Sequence, residues 1–339
     1  MTRILNREFD LEAARRLHEE GYLPPVARAL SARGIRDASE LAQDWKSMLP
    51  PAMLEGTREA AERLALARER GERVTVVADY DCDGATACAV AIRGLGMMGV
   101  KADYFVPHRV HHGYGLSCAV VDLLAARTPR PDVLLTVDNG VSSAEAVRHA
   151  AELGIDVIVT DHHLPGAELP PAVCIVNPNL ADSAFPSKAL AGVGVMYYVL
   201  LALRALLRER GVYTQQTQPR LDALVDLVAL GTVADVVKLD KNNRILVAQG
   251  LNRIRLGRTH AGISALFAVA GKKPEAAAIP KINRHGRYFV QFINYMDLVV
   301  KNRLSGHRIQ VLYTEQYVFL DFVKPDASLF VAIIKVDEF

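Results

Sequence analysis

Residues 74–84 read Val-Thr-Val-Val-Ala-Asp-Tyr-Asp-Cys-Asp-Gly. A β-branched, apolar run too short for a helix ends in three carboxylates at alternate positions, Asp79, Asp81 and Asp83, followed by a glycine and a helix-compatible stretch from about Ala85. This is a strand that delivers charge to its carboxyl end, and in an open parallel sheet that end borders the ligand crevice. Like charges so close together repel, so they persist either in water as a solvated turn or around a cation. The rest of the chain has to decide between the two.

Downstream, apolar strands alternate with amphipathic helices. The pattern predicts strands over 74–78, 102–106, 132–137, 155–160 and 173–176, with helices over about 85–97, 118–126 and 143–153. Such alternation implies an α/β fold with a doubly wound, mostly parallel sheet. Residues 1–70 are rich in Ala, Leu, Arg and Glu and read as a helical segment broken at Leu23-Pro24-Pro25 and Leu49-Pro50-Pro51. Ala189 to Leu203 is the longest apolar run; bounded by Lys188 and Arg204, it falls short of the roughly 18 residues of a membrane span and reads as a buried helix.

The residues just past the strand ends share a chemistry. The first strand leads into Asp79, Asp81 and Asp83, the third into Asp138-Asn139-Gly140, and the fourth into Asp161-His162-His163. Parallel strands therefore send carboxylates and imidazoles to one edge of one sheet. Oxygen donors mixed with imidazole, without thiolate, suit Mn²⁺ or Mg²⁺ better than a structural zinc. Four or more carboxylates suffice for two ions, and two metals roughly 3.5–4 Å apart are a common apparatus for splitting phosphoesters. Asp83-Gly84 turns the chain from strand to helix, and Asn139 to Ser143 does the same after the third strand, with Ser142 or Ser143 as the N-cap; capping alone accounts for these serines.

A net charge of +2 gives no strong overall field, so a polyanion would need a local basic groove. The cysteines, at 82, 88, 118 and 174, have no C-x-x-C spacing and read as reduced thiols of a cytoplasmic protein. Charged residues interrupt the N-terminus where a signal peptide would be apolar. Neither G-x-x-x-x-G-K-[ST] nor a G-x-G-x-x-G after the first strand is present, which argues against the common nucleotide-binding loops.

The succession Asp79-Tyr80-Asp81-Cys82-Asp83-Gly84, Pro107-His108-Arg109 through Gly113-Tyr114-Gly115-Leu116-Ser117, Val137-Asp138-Asn139-Gly140 and Asp161-His162-His163 resembles the motifs of the DHH phosphoesterase superfamily. Within it, the chain is most similar to the RecJ family of bacterial 5′→3′ single-strand-specific DNA exonucleases. Leu190 to Val195 and Asp226 to Asp235 also resemble RecJ segments, and the likeness covers roughly residues 10–287.

The resemblance implies a catalytic domain over 71–270, two Mn²⁺ ions with Mg²⁺ as the alternative, and Asp81, Asp83, Asp138 and His162 as ligands, Asp138 bridging. A further carboxylate is implied from the later segment, Asp235 in preference to Asp226. It implies that His163 contacts the scissile phosphate, that Asp79 is an outer ligand or orients one, and that Arg109 clamps phosphate with its planar fork. His108, His111 and His112 are left as surface residues, and Asp240 as a turn residue. Tyr114 suits either base stacking or packing. The implied substrate is single-stranded DNA in repair and recombination, with a helicase or single-strand-binding protein as further partners and no membrane.

Pro280 to Arg287 resembles the family's P-R-x-N-x-x-G-R interdomain linker, placed here at 271–287, with Asn283 and Arg287 on DNA phosphates; Lys281 stands where the family has Arg, which keeps the charge and loses the fork. The resemblance ends at Arg287. Residues 288–339 are nearly free of alanine and hold six of the ten phenylalanines. The second substrate-binding domain and OB-type domain of a RecJ protein are not recognisable there. The chain thus reads as a C-terminally truncated catalytic domain with a divergent tail, either a frameshifted or recombined end or a short replacement domain, with strands at Gln310 to Tyr313 and Leu329 to Ile334. Two other readings stand beside the exonuclease: a phosphodiesterase for short oligonucleotides or cyclic dinucleotides, and an inactive DHH binding module.

Overall fold

Short runs of Val, Leu and Ile in the three central strands set the frame. The strands are Arg73–Ala78 (β1), Lys101–Phe105 (β2), Val133–Val137 (β3), Asp156–Thr160 (β4) and Cys174–Val176 (β5). In this computed structural model, which describes residues 7–108, 112, 114–269, 308–313, 317–323 and 329–335, they form a five-stranded sheet in the order β2-β1-β3-β4-β5. Every pairing in it is parallel. The expected α/β, parallel-sheet architecture is what the chain adopts, and the chain order reverses between β1 and β3.

Side-chain alternation along the strands separates two cores. Val74, Val76, Ala78, Leu135, Val137 and Ile158 belong to the larger one, with Leu64 of Thr57–Arg70 (α3), Val90 and Leu95 of Cys82–Met97 (α4), Leu200 of Gly192–Glu209 (α7) and Leu227 of Val225–Ala234 (α8). Val77, Leu134, Val157 and Val159 point to the opposite face and meet Val120 and Leu124 of Cys118–Ala125 (α5) and Val147 and Ala150 of Ala144–Glu152 (α6). Each fully buried Val, Leu or Ile among them contributes about 1.5–3 kcal/mol by leaving water.

The apolar run at 189–203 lies mostly in α7 and is buried along its length, as its composition required. Among the described residues no helix is long and apolar enough to cross a membrane. Before the sheet, Leu11–Glu19 (α1) and Pro24–Ser31 (α2) meet in a small cluster of Leu17, Ala27 and Ile35. After it, α8 packs on Lys241–Arg255 (α9), and Ala261–Val269 (α10) follows. The two tail strands expected from the sequence fall within Arg308–Tyr313 (β6) and Leu329–Lys335 (β8), which flank Tyr317–Val323 (β7) in an antiparallel sheet.

The helix after β1 begins at Cys82, three residues before the expected Ala85. Asp81 accounts for the difference: it occupies the N-cap and its Oδ1 accepts from the Gly84 amide at 2.9 Å. Gly84 has no substitute here, because a Cβ would lie 2.6 Å from the Asp79 side chain and carbonyl oxygen.

Candidate metal centre

Register lines up the chemistry. Ala78, Val137, Thr160 and Val176 are successive partners across β1, β3, β4 and β5. The next residue on each strand is Asp79, Asp138, Asp161 or Asn177, and the ladder continues through them. The Asp79 amide donates to Val137 O at 3.3 Å, Asp138 to Thr160 O at 3.0 Å and Asp161 to Val176 O at 3.1 Å. A row of three carboxylates and an amide therefore crosses the carboxyl edge beside the β1/β3 reversal, the crevice position of doubly wound sheets.

Asp138 has a φ of 63°, a left-handed conformation uncommon outside glycine and visited mainly by Asn, Asp and His among the other residues. Asn139 anchors the turn, donating from Nδ2 to Val77 O and Val137 O at 3.0 and 2.9 Å. The Asp138 carboxylate presses against the start of α7, where a Cβ on Gly192 would stand 2.5 Å from Asp138 Oδ1. Asp83 reaches the same place from α4: its two oxygens accept from the Gly192 and Val193 amides at 2.6 and 2.9 Å.

His162 closes the cluster. Its Nε2 lies 3.1 Å from Asp138 Oδ1, 3.7 Å from Asp235 Oδ2 and 3.8 Å from Asp83 Oδ2. Ligand atoms of three overlapping sets, Asp138-His162-His163, Asp83-His162-Asp235 and Asp79-Asp81-Asp138, each fall within 4.8 Å of one another. Asp138 Oδ1 and His162 Nε2 are buried, and neither makes a hydrogen bond among the described residues. Buried polar atoms are ordinarily paired, so two orphans facing each other across a ring of carboxylates fit a cation between them.

The electrostatics agree. Burial, reinforced by neighbouring carboxylates, pushes Asp83 and Asp138 well above the ordinary range, and burial raises Asp235 as well. Asp79 is pushed up to about 6, mainly by burial. Burial lowers His162, which keeps its imidazole neutral and able to ligate, whereas the Asp161 carboxylate raises its neighbour His163. The buried thiol of Cys82 is pushed up and stays protonated, so the donor set remains oxygen and imidazole, as suits Mn²⁺ or Mg²⁺.

Known proteins are similar to this chain in sequence and in fold. The profile of the DHH family, N-terminal domain, matches residues 73–232. The single-stranded-DNA-specific exonuclease RecJ of Salmonella typhimurium is 50% identical over 277 residues, covering 78% of this chain and 48% of its own length. A solved structure of exonuclease RecJ bound to manganese superposes with a TM-score of 0.60 and 32% identity, covering 75% of this chain and 67% of that one. RecJ of Thermus thermophilus in complex with Mn²⁺ gives a TM-score of 0.65 at 28% identity, over 87% and 44% of the two chains. This chain belongs to the RecJ branch of the DHH family. It spans about half the length of the curated RecJ proteins it matches.

In RecJ terms the structure gathers Asp79, Asp81, Asp83, Asp138, His162, His163 and Asp235 at one centre. Asp226 is elsewhere: it is buried at the start of α8, where Thr259 Oγ1 donates to it at 2.7 Å and the His260 amide at 2.8 Å. Asp240 caps α9 and accepts from Ser187 Oγ. Arg109, Asn283, Arg287 and the linker 271–287 lie outside the described residues.

One of the two serines expected at the N-cap, Ser143, does occupy that position of α6, but its hydroxyl makes no cap hydrogen bond, so capping does not account for it. Sequence reasoning gave no role to Asp161, which organises the DHH loop. Its Oδ1 accepts from the His162 and His163 amides and pairs with His163 Nδ1 at 2.7 Å, and its Oδ2 accepts from the Val141 amide. Asn177 and Asn179 brace the loop from below, donating to the His163 and His162 carbonyls. The signal for Asp161 was its place at a strand end, in line with Asp79 and Asp138.

Proposed function

We propose that this chain carries the catalytic centre of a divalent-metal-dependent phosphodiesterase of RecJ type, which releases nucleotides from the 5′ end of single-stranded DNA. The observation that carries the reading is the convergence of Asp83, Asp138, His162 and Asp235 around unpartnered buried donor atoms. Asp81, Asp83, Asp138, His162 and Asp235 hold two Mn²⁺ ions, or Mg²⁺ in their place, with Asp79 as an outer ligand. Ions bound there activate water and neutralise charge on the phosphorus oxygens.

The protein groups have separate tasks. Asp161 holds His163 through Nδ1, fixing the ring and favouring its protonated form. The imidazolium then offers a charge-assisted hydrogen bond to the scissile phosphate. Arg109, Asn283 and Arg287 are assigned to phosphates of the strand. Single-stranded ends in repair and recombination are the natural substrates, in a cytoplasmic setting that suits four free cysteines, with a helicase or single-strand-binding protein supplying such ends.

The test compares a long 5′-phosphorylated single strand, its 3′-phosphorylated counterpart, a trinucleotide and a cyclic dinucleotide under one Mn²⁺ concentration. Mononucleotide release from the 5′-phosphorylated strand, abolished by EDTA, is the expected result. Equal hydrolysis in EDTA, or turnover of the cyclic dinucleotide alone, defeats the reading.

A further inference from the structure

Beside the metal centre lies a cavity of about 630 Å³ that the proposed chemistry leaves unused. Tyr114, Ser117, Ser142, Ser143 and Glu145 line it, and His163 and Asp161 join it to the carboxylate cluster. It occupies the α5/α6 side of the sheet, backed by the first residues of both helices. Its volume falls in the range of about 300–1,000 Å³ usual for small-molecule sites, room for a base and its sugar.

The lining has a direction. His163 stands at the metal end, and Glu145, exposed in the first turn of α6, is the additional carboxylate away from that end. A phosphate is therefore disfavoured near Glu145, which leaves the metal end for it. Tyr114 stands between, half exposed, its ring edge-on to His163 at 6.3 Å and its hydroxyl 3.4 Å from the Asp138 carbonyl. Ser142 and Ser143 make no side-chain hydrogen bond among the described residues, although both sit at a helix start where serine normally caps. Their hydroxyls and the Glu145 carboxylate are free to meet a polar ligand edge.

Resting on the nuclease reading, we propose that this cavity is the pocket for the base of the nucleotide being released. The base stacks on Tyr114, as bases do on aromatic side chains in single-strand channels. Its polar edge meets Ser142, Ser143 and Glu145. A carboxylate accepts from the exocyclic amine of cytosine, and an amine is likewise present on adenine and guanine but absent from thymine. The pocket thus favours amino-bearing terminal bases over thymine.

Three 5′-phosphorylated oligonucleotides that differ only in the terminal residue, dC, dT or an abasic sugar, test this with Mn²⁺ present. The expected kcat/KM falls about ten-fold from dC to abasic, the scale of one lost stacking contact, with dT between them. Ser143→Phe, which fills the cavity, removes the difference between dC and abasic; Glu145→Ala removes the gap between dC and dT. Equal cleavage of all three by the unaltered protein overturns the pocket while leaving the nuclease intact, and needs no variant to fold. Full discrimination retained in Ser143→Phe, with its fold verified by circular dichroism, also overturns it. Cleavage of none of the three overturns the nuclease reading and the pocket together.

Discussion

Asp138 and Asp226 are both buried carboxylates at element boundaries, and they behave oppositely. Asp226 is saturated: Thr259, the His260 amide, the His260 ring and the Leu227 amide all donate to it, and although burial alone would raise its pKa, these partners hold it below the ordinary value. Asp138 keeps an oxygen without a partner, sits on left-handed backbone and is pushed upward by burial and by neighbouring negative charge. Burial therefore does not separate structural from functional acids here. Whether the protein itself satisfies the carboxylate does: the cluster around Asp226 is complete as it stands, and the one around Asp138 needs a cation.

The sharpest way to break this contrast is Asp138→Ala. Cleavage of single-stranded DNA with Mn²⁺ should fall by about 10⁴-fold, the scale of losing one member of a catalytic group that acts as a unit. In EDTA Asp138→Asn, which keeps the side-chain shape and tolerates left-handed backbone, should melt no lower than the unaltered protein, because a repelling charge has gone. A melting point several degrees lower would mean that Asp138 is structural.

Asp226→Ala should do the reverse. Urea unfolding in EDTA should show a loss of about 3 kcal/mol, because a buried, hydrogen-bonded group is removed and its donors are stranded. Activity per folded molecule should stay within about two-fold of normal. A collapse of activity with stability intact would move Asp226 into the reaction centre.

Mn²⁺ sharpens the comparison from the ligand side. At a hundred times its dissociation constant it should stabilise the fold by about 2.7 kcal/mol, since it binds the folded centre and not the unfolded chain. Asp226→Asn should keep that increment and Asp138→Ala should lose most of it, measured as melting curves with and without the ion. Equal increments in both variants would place the ion elsewhere.

The smallest expected effect is in acid. Asp226 has a folded-state pKa below its ordinary value, so its stabilisation is fully present above the ordinary value of about 3.9 and is lost as pH falls through the folded one. In EDTA, the stability of the unaltered protein should decline below about pH 4, with at most about 1.4 kcal/mol per pH unit from this proton. Asp226→Asn should flatten that part of the curve; an unchanged slope would remove Asp226 as the source.

Much of the sheet and of this contrast was legible in the chain. Val74 to Ala78 and Val133 to Val137 are β-branched, apolar and short, so their assignment needed no tertiary information. The clustered acids Asp79, Asp81, Asp83 and Asp138 were legible because they follow the ends of β1 and β3, where parallel topology forces a shared edge. Asp226 and Asp235 could not be separated by composition, since they bracket one apolar helix; the difference comes from His260, 34 residues further on, which packs against the first and not the second. The free hydroxyl of Ser143 was hidden for a similar reason, because capping propensity says where serine sits and not what its oxygen does once the β3 turn is folded.

Asp83 serves two masters. The same carboxylate that faces His162 also holds the first two amides of α7, the helix around which the larger core is packed. The carboxylate cluster and the hydrophobic interior are thus moored to a single side chain. Any rearrangement of charge at the crevice is transmitted to the middle of the protein through two short hydrogen bonds, and the end of α7 cannot loosen without surrendering one wall of the cation cage.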